Sequence, residues 1–291
     1  MTALPAQLES KLSLWESDPA LLEADQFARR VEIQDDLDRL FIDPALHPDS
    51  TQHLDSSDLR QRARALNLKF ESINSDLFAS IRRQIQKGAC PPQFTSILHN
   101  LTTPPRGLAY DYLDDLVAGV FQFNPPAEEP RALSSDSVFY QPTPARHIFH
   151  LITAAALRNT DTLIDLGSGL GHVPLLVSIC TGASSIGIEL DPTLAACAAK
   201  CSEALNQRNV TFHAQDARQA DLSSGNVFYL YTPFTGSTLS AVLESLRNQS
   251  SLRPIRICIF GPGTLTLREQ VWLKPITPPA TDQITIFVPR R

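Results

Sequence analysis

The sequence predicts an α/β chain, a doubly wound parallel sheet preceded by a helical region, and three observations carry that prediction. From residue 147 to 260, short apolar runs of strand length alternate with helical patterns. One of those runs passes directly into three alternate glycines, Gly167, Gly169 and Gly171. The first third of the chain shows three- and four-residue apolar spacing in place of such runs.

Residues 1–104 form the helical region on this reading, and 105–291 the sheet domain. Asp18 followed by Pro19 has the chemistry of a helix start, and Phe27, Val31, Leu37 and Phe41 after it supply an apolar face. Asp55 and Ser56 cap a longer helix in which Leu59, Ala63, Leu66, Phe70, Ile73, Leu77, Ile81 and Ile85 recur up to Gly88. This region is either a helical scaffold or a module for substrate recognition. Pro104, Pro105 and Gly107 close it. A helix at 108–120 follows, with Tyr110, Asp111, Tyr112, Asp114 and Asp115 read as its solvated face, and then a proline-rich loop at 124–131. Strands are expected at 162–166, 184–190, 210–214, 227–231 and 255–260, with helices between most of them, which implies right-handed parallel crossovers. The helix after the fifth strand is shortened to about 264–270, and 272–276 with 284–288 supply a closing hairpin.

The chain has 291 residues, 43% hydrophobic and 19% charged, enough for a sizeable globular core. Its net charge of -6 leaves no overall basic field of the kind that promotes nonspecific nucleic-acid binding, and it is compatible with a basic protein segment as substrate. No run approaches membrane-spanning length and the N-terminus lacks a signal-peptide pattern. Five cysteines, an odd number without paired C-x-x-C spacing, fit a reducing, cytoplasmic setting. Cys197 and Cys201 lie four apart on a helix but have no histidine at ligand spacing, so no metal site is assigned.

The segment Asp161-Thr-Leu-Ile-Asp-Leu-Gly-Ser-Gly-Leu-Gly171 sets a buried strand, an acid and alternate glycines in one turn. The glycines let the backbone turn tightly and approach a ligand before a helix packs on the sheet. A dinucleotide site would need a glycine at the sixth position of G-x-G-x-x-G, where this chain has His172. S-adenosylmethionine carries an ammonium and a sulfonium and no phosphate, and Asp165 is the acid that such a ligand would want. A purely structural turn is the competing reading of this segment alone. Glu189, 24 residues beyond Asp165 at the end of the second strand, stands where a ribose carboxylate is expected, and Asp216, just after the third strand, would lie near the adenine. The three acids at successive strand ends make one constellation.

From about residue 139 to 240 the chain resembles the class I, seven-strand methyltransferases of Rossmann-like fold, and within them it is most similar to the non-SET protein lysine methyltransferases. The likeness rests on Val138-Phe-Tyr-Gln-Pro-Thr-Pro144 before the first strand and on Asp165-Leu-Gly-Ser-Gly-Leu-Gly-His-Val173. It implies S-adenosylmethionine as cofactor, with Tyr140 and Thr143 over its methionine end. After the fourth strand, Tyr231-Thr-Pro-Phe234 resembles the amine-methylating segment of such enzymes only in Pro233 and Phe234. Tyr231 and Phe234 are the candidate walls of an acceptor channel, by cation-π contact with an ammonium, or else strand-end packing residues. His147, His150 and His172 are read as structural or solvated, and no general base is nominated. The acceptor is a protein or a small molecule; a small-molecule methyltransferase and a non-catalytic cofactor-binding protein are the alternatives.

Overall fold

The computed structural model describes residues 3–42, 57–124, 141–231 and 235–290. These fall into two compact units, residues 1–81 and 82–291. The division lies inside one long helix; the prolines at 104 and 105 lie within the second unit.

The first unit is helical. It contains α1 (Ala3–Ser17), α2 (Phe27–Leu37) and most of α3 (Ser57–Gln86). Asp18 does act as a cap, but for a single 3₁₀ turn, Pro19–Leu22, so that the α-helix starts only at Phe27. Leu8, Leu12, Leu21, Ile33, Leu37, Leu59, Ala63, Leu66 and Phe70 make its core. Arg30 is fully buried there. It donates to Asn74 Oδ1 at 2.7 Å and to the carbonyls of Leu21 and Glu23, and burial lowers its pKa.

The second unit opens with α4 (Pro92–Asn100) and α5 (Tyr112–Phe121). The helix expected from residue 108 begins four residues later because Asp111, with an extended backbone, caps it. Next come α6 (Ala145–Ala154), β1 (Thr162–Leu166), α7 (His172–Thr181), β2 (Ser184–Glu189), α8 (Pro192–Ala204), β3 (Val210–Ala214) and β4 (Val227–Tyr231). The chain ends with α9 (Gly236–Leu252), β5 (Arg256–Phe260), α10 (Gly263–Arg268), β6 (Leu273–Pro275) and β7 (Thr285–Pro289). Strand order is β3-β2-β1-β4-β5-β7-β6. Strands β1 to β5 are parallel, and β7 runs antiparallel to both β5 and β6. The seven-strand Rossmann-like methyltransferase fold is therefore present, with the closing hairpin where the tail predicts it.

Side chains alternate across the sheet. Ile164, Leu166, Ile188, Phe228, Leu230, Ile257 and Ile259 pack with Leu239, Val242, Leu243 and Leu246 of α9. The intervening residues face the other way, and register puts Gly187, Asp165, Tyr229 and Cys258 in one transverse row. The order reverses between β1 and β4, so the loops leaving those strands diverge and open a crevice at their carboxyl ends. Among the described residues no helix is long and apolar enough to cross a membrane.

Candidate cofactor and acceptor site

The loop after β1 is built as the glycine spacing requires. Gly167, Gly169 and Gly171 have φ of 93°, 52° and 83°. The amides of Gly167 and Ser168 both donate to the Ile188 carbonyl, at 2.8 and 3.0 Å, which ties the turn to β2. Gly171 then opens α7. Glu189, at the end of β2, closes the loop from the far side: its Oε2 accepts from Gly169 N at 2.7 Å and its Oε1 from Asp191 N at 2.9 Å. Each carboxylate oxygen has a second lone pair free for a diol.

Asp165 is 3% exposed and lies beneath this loop. Burial, reinforced by Glu189, raises its carboxyl well above the usual range. Beside it in the row, the buried Tyr229 hydroxyl lies 3.0 Å from Thr143 Oγ1. Burial pushes the Tyr229 phenol up as well, so the hydroxyl is neutral. This chemistry suits a ligand with an ammonium, a ribose and no phosphate. Two acids stand close enough to interact, backbone can approach closely at three glycines, and no lysine or arginine is among these residues. Ser168 Oγ, buried and without a hydrogen bond among the described residues, adds a polar group in the same turn. Asp165, Glu189, the three glycines and Thr143 are residues that could hold S-adenosylmethionine.

Asp216 follows β3 as expected, yet its carboxylate is engaged locally. It accepts from Arg218 N at 2.8 Å and pairs with the Arg218 guanidinium at 2.5 Å, and Arg218 lowers its pKa. Tyr231, at the end of β4, is partly buried and stacks on Phe260 with centroids 5.0 Å apart. Phe260 stacks in turn on His147 at 4.2 Å. Burial raises the Tyr231 phenol to about 12, with Tyr110 close enough to add to the shift. Tyr140 and Phe234, also expected here, lie outside the described residues.

Burial makes His147, His150 and His172 weaker bases than a free imidazole. His147 is buried with Nε2 2.8 Å from the Gly107 carbonyl, and burial lowers the pKa of His147 and His150. His172 sits against the Phe121 and Phe123 rings and is brought down to about 4. Among the described residues no group of three or more histidine, cysteine or acidic side chains gathers as a metal site. Sequence reasoning missed Tyr229. Its position two residues before Tyr231 put both on one face, but its pairing with Asp165 is a matter of strand register.

Residues 133–228 match the family described as histone methylation protein DOT1. Among solved structures, the chain is similar to an RNA methyltransferase from Salinibacter ruber in complex with S-adenosyl-L-homocysteine. The match has 27% identity over 51% of this chain and 92% of that one, with a TM-score of 0.39. It is also similar to a precorrin-6y C5,15-methyltransferase from Geobacter metallireducens GS-15, with 15% identity over 53% and 92% of the two chains and a TM-score of 0.42. Magnesium protoporphyrin IX methyltransferase from Synechocystis PCC 6803, with bound SAH, matches at 16% identity over 49% and 80%, with a TM-score of 0.36. No curated protein matches the chain. The fold rests on strand order and register.

Proposed function

We propose that this class I, S-adenosylmethionine-dependent methyltransferase transfers its methyl group to an amine nitrogen of a protein substrate, a lysine side chain. The observation that carries the acceptor reading is the aromatic surface at the end of β4. Tyr231 shares a face with Tyr229 and, through it, with Asp165, and is backed by Phe260. A neutral ring there offers cation-π attraction to an approaching ammonium and a dry wall to the uncharged amine that must react. The match to a histone methylation family over 133–228 supports the same reading.

The bound cofactor supplies an electrophilic methyl on a sulfonium. Everything else falls to the chain. Asp165 and Glu189 hold the ammonium and ribose ends, and Thr143 closes over the methionine end through its bond to Tyr229. Tyr231 aligns the nitrogen. Alignment and exclusion of water supply most of the rate enhancement, and burial weakens His147 and His172 as bases. The acceptor therefore arrives deprotonated or gives its proton to water.

Labelled S-adenosylmethionine incubated with the pure protein and a cell lysate tests the substrate class: label is expected in protein, as methyl-lysine on hydrolysis. Label confined to small molecules or RNA, or on oxygen or carbon, would reject the reading. Tyr231→Ala is expected to lower kcat/KM for the acceptor by roughly tenfold or more while cofactor Kd changes little, and Tyr231→Phe to retain most activity. Parallel loss of cofactor affinity in Tyr231→Ala would make the ring part of the cofactor pocket instead.

A further inference from the structure

The acidic turn at the start of α5, which the sequence presents as a solvated face, is built into the loop that carries Thr143. Helix α6 begins after Pro142-Thr143-Pro144, and the residue at its cap position is Pro144, which has no side-chain hydrogen bond to offer. The first amide of α6 would be left without a partner by its own loop. Asp114 of α5 supplies it: Oδ1 accepts from Ala145 N at 2.8 Å, while Oδ2 accepts from Asp111 N at 2.8 Å. One carboxylate thus caps two helices, where both macrodipoles favour its negative charge.

Neighbouring contacts run the same way. Tyr110 donates its hydroxyl to the Pro142 carbonyl at 2.8 Å, Arg146 pairs with Asp111, and His147 meets the Gly107 carbonyl. Between these anchors Thr143 is 6% exposed, with its hydroxyl on Tyr229. A loop with two prolines and a buried hydroxyl is held from outside at Pro142, Ala145, Arg146 and His147.

We propose that Asp114 is a positioning residue for the cofactor: by capping α5 and α6 together it latches residues 141–144 so that Thr143 keeps its place on Tyr229. The proposal rests on the reading that Thr143 covers the methionine end of S-adenosylmethionine. It assigns Asp114 no contact with the ligand. Its effect should therefore pass through Thr143, and a double-mutant cycle measures that coupling.

Calorimetric titration of S-adenosylmethionine and S-adenosylhomocysteine into the parent, Asp114→Ala, Thr143→Val and the double variant provides the test, with unfolding midpoints taken on each. Asp114→Ala is expected to weaken binding about tenfold and Thr143→Val about threefold to tenfold, with the double variant no worse than about twofold beyond Asp114→Ala alone. Asp114→Asn keeps one oxygen acceptor and should fall between parent and Asp114→Ala, which preserves the test if the alanine variant folds poorly. Parent-like binding by both Asp114 variants, or single effects that multiply in the double variant, would overturn the latch and leave the methyltransferase reading standing. No binding by the parent would overturn both.

Discussion

Gly171→Ala is expected to destabilise the second unit by about 2–4 kcal/mol. Two causes add. Gly171 has a φ of 83°, which strains an alanine, and a Cβ there would lie 2.5 Å from the Phe212 ring and 3.1 Å from Ala198 Cβ. A Cβ at Gly187 would meet the same ring at 2.4 Å, so the ring lies close over both glycines. Gly88→Ala separates the causes: its φ is 81° with nothing within 4 Å of the added carbon, so strain alone should cost about 1–2 kcal/mol. Denaturant midpoints compare the two. Equal losses would mean that the ring relaxes freely and that close packing does not shape the loop.

Asp165→Asn is expected to weaken cofactor binding by about 3 kcal/mol or more, roughly a hundredfold, since on the proposed reading the buried carboxylate would be the counter-charge for an ammonium. The same change should have the opposite effect on the empty protein. Burial and Glu189 raise the Asp165 carboxyl well above its ordinary range. A carboxyl with a raised folded pKa adds stability that is complete below its unfolded value and is lost as pH rises through the folded value. Asparagine has no such loss, so the variant should be more stable than the parent at neutral and alkaline pH and should converge with it in acid. Binding an ammonium favours the carboxylate, and parent affinity should rise with pH through that range as a proton is released. Thermal unfolding across pH and calorimetry in two buffers read both effects. A variant with parental affinity and the parental pH profile would remove Asp165 from the site.

The elements that could be read from the sequence are those whose cause is local. Apolar runs bounded by turn residues gave β1 to β5, and Gly167, Gly169 and Gly171 marked a turn that only positive φ can make. Acids at strand ends placed Asp165 and Glu189 because parallel strands deliver their carboxyl ends to one edge. What was not legible depends on contacts between distant segments. Tyr229 beside Asp165 is set by the register of β1 with β4, and the Asp114 cap on α6 joins residues 31 apart in sequence. Asp18-Pro19 signalled a helix start, but chemistry that suits an α-helix also suits a 3₁₀ turn, and tertiary packing decided between them. Asp216 carried a local competitor, Arg218, that spacing alone does not weigh against an adenine amine.

The most direct test of the account is calorimetric binding of S-adenosylmethionine to the parent and to Glu189→Gln. Glutamine keeps one oxygen that can accept from Gly169 N while removing the charge offered to a ribose diol. The parent should bind the cofactor, and its demethylated product, in a one-to-one complex. Glu189→Gln should bind about 1.5–3 kcal/mol more weakly through loss of charge-assisted hydrogen bonds, and should still fold, with its midpoint lowered by the lost acceptor for Asp191 N. Absence of binding by the folded parent, or equal affinity in the variant, would contradict a cofactor site at the carboxyl ends of β1 to β3.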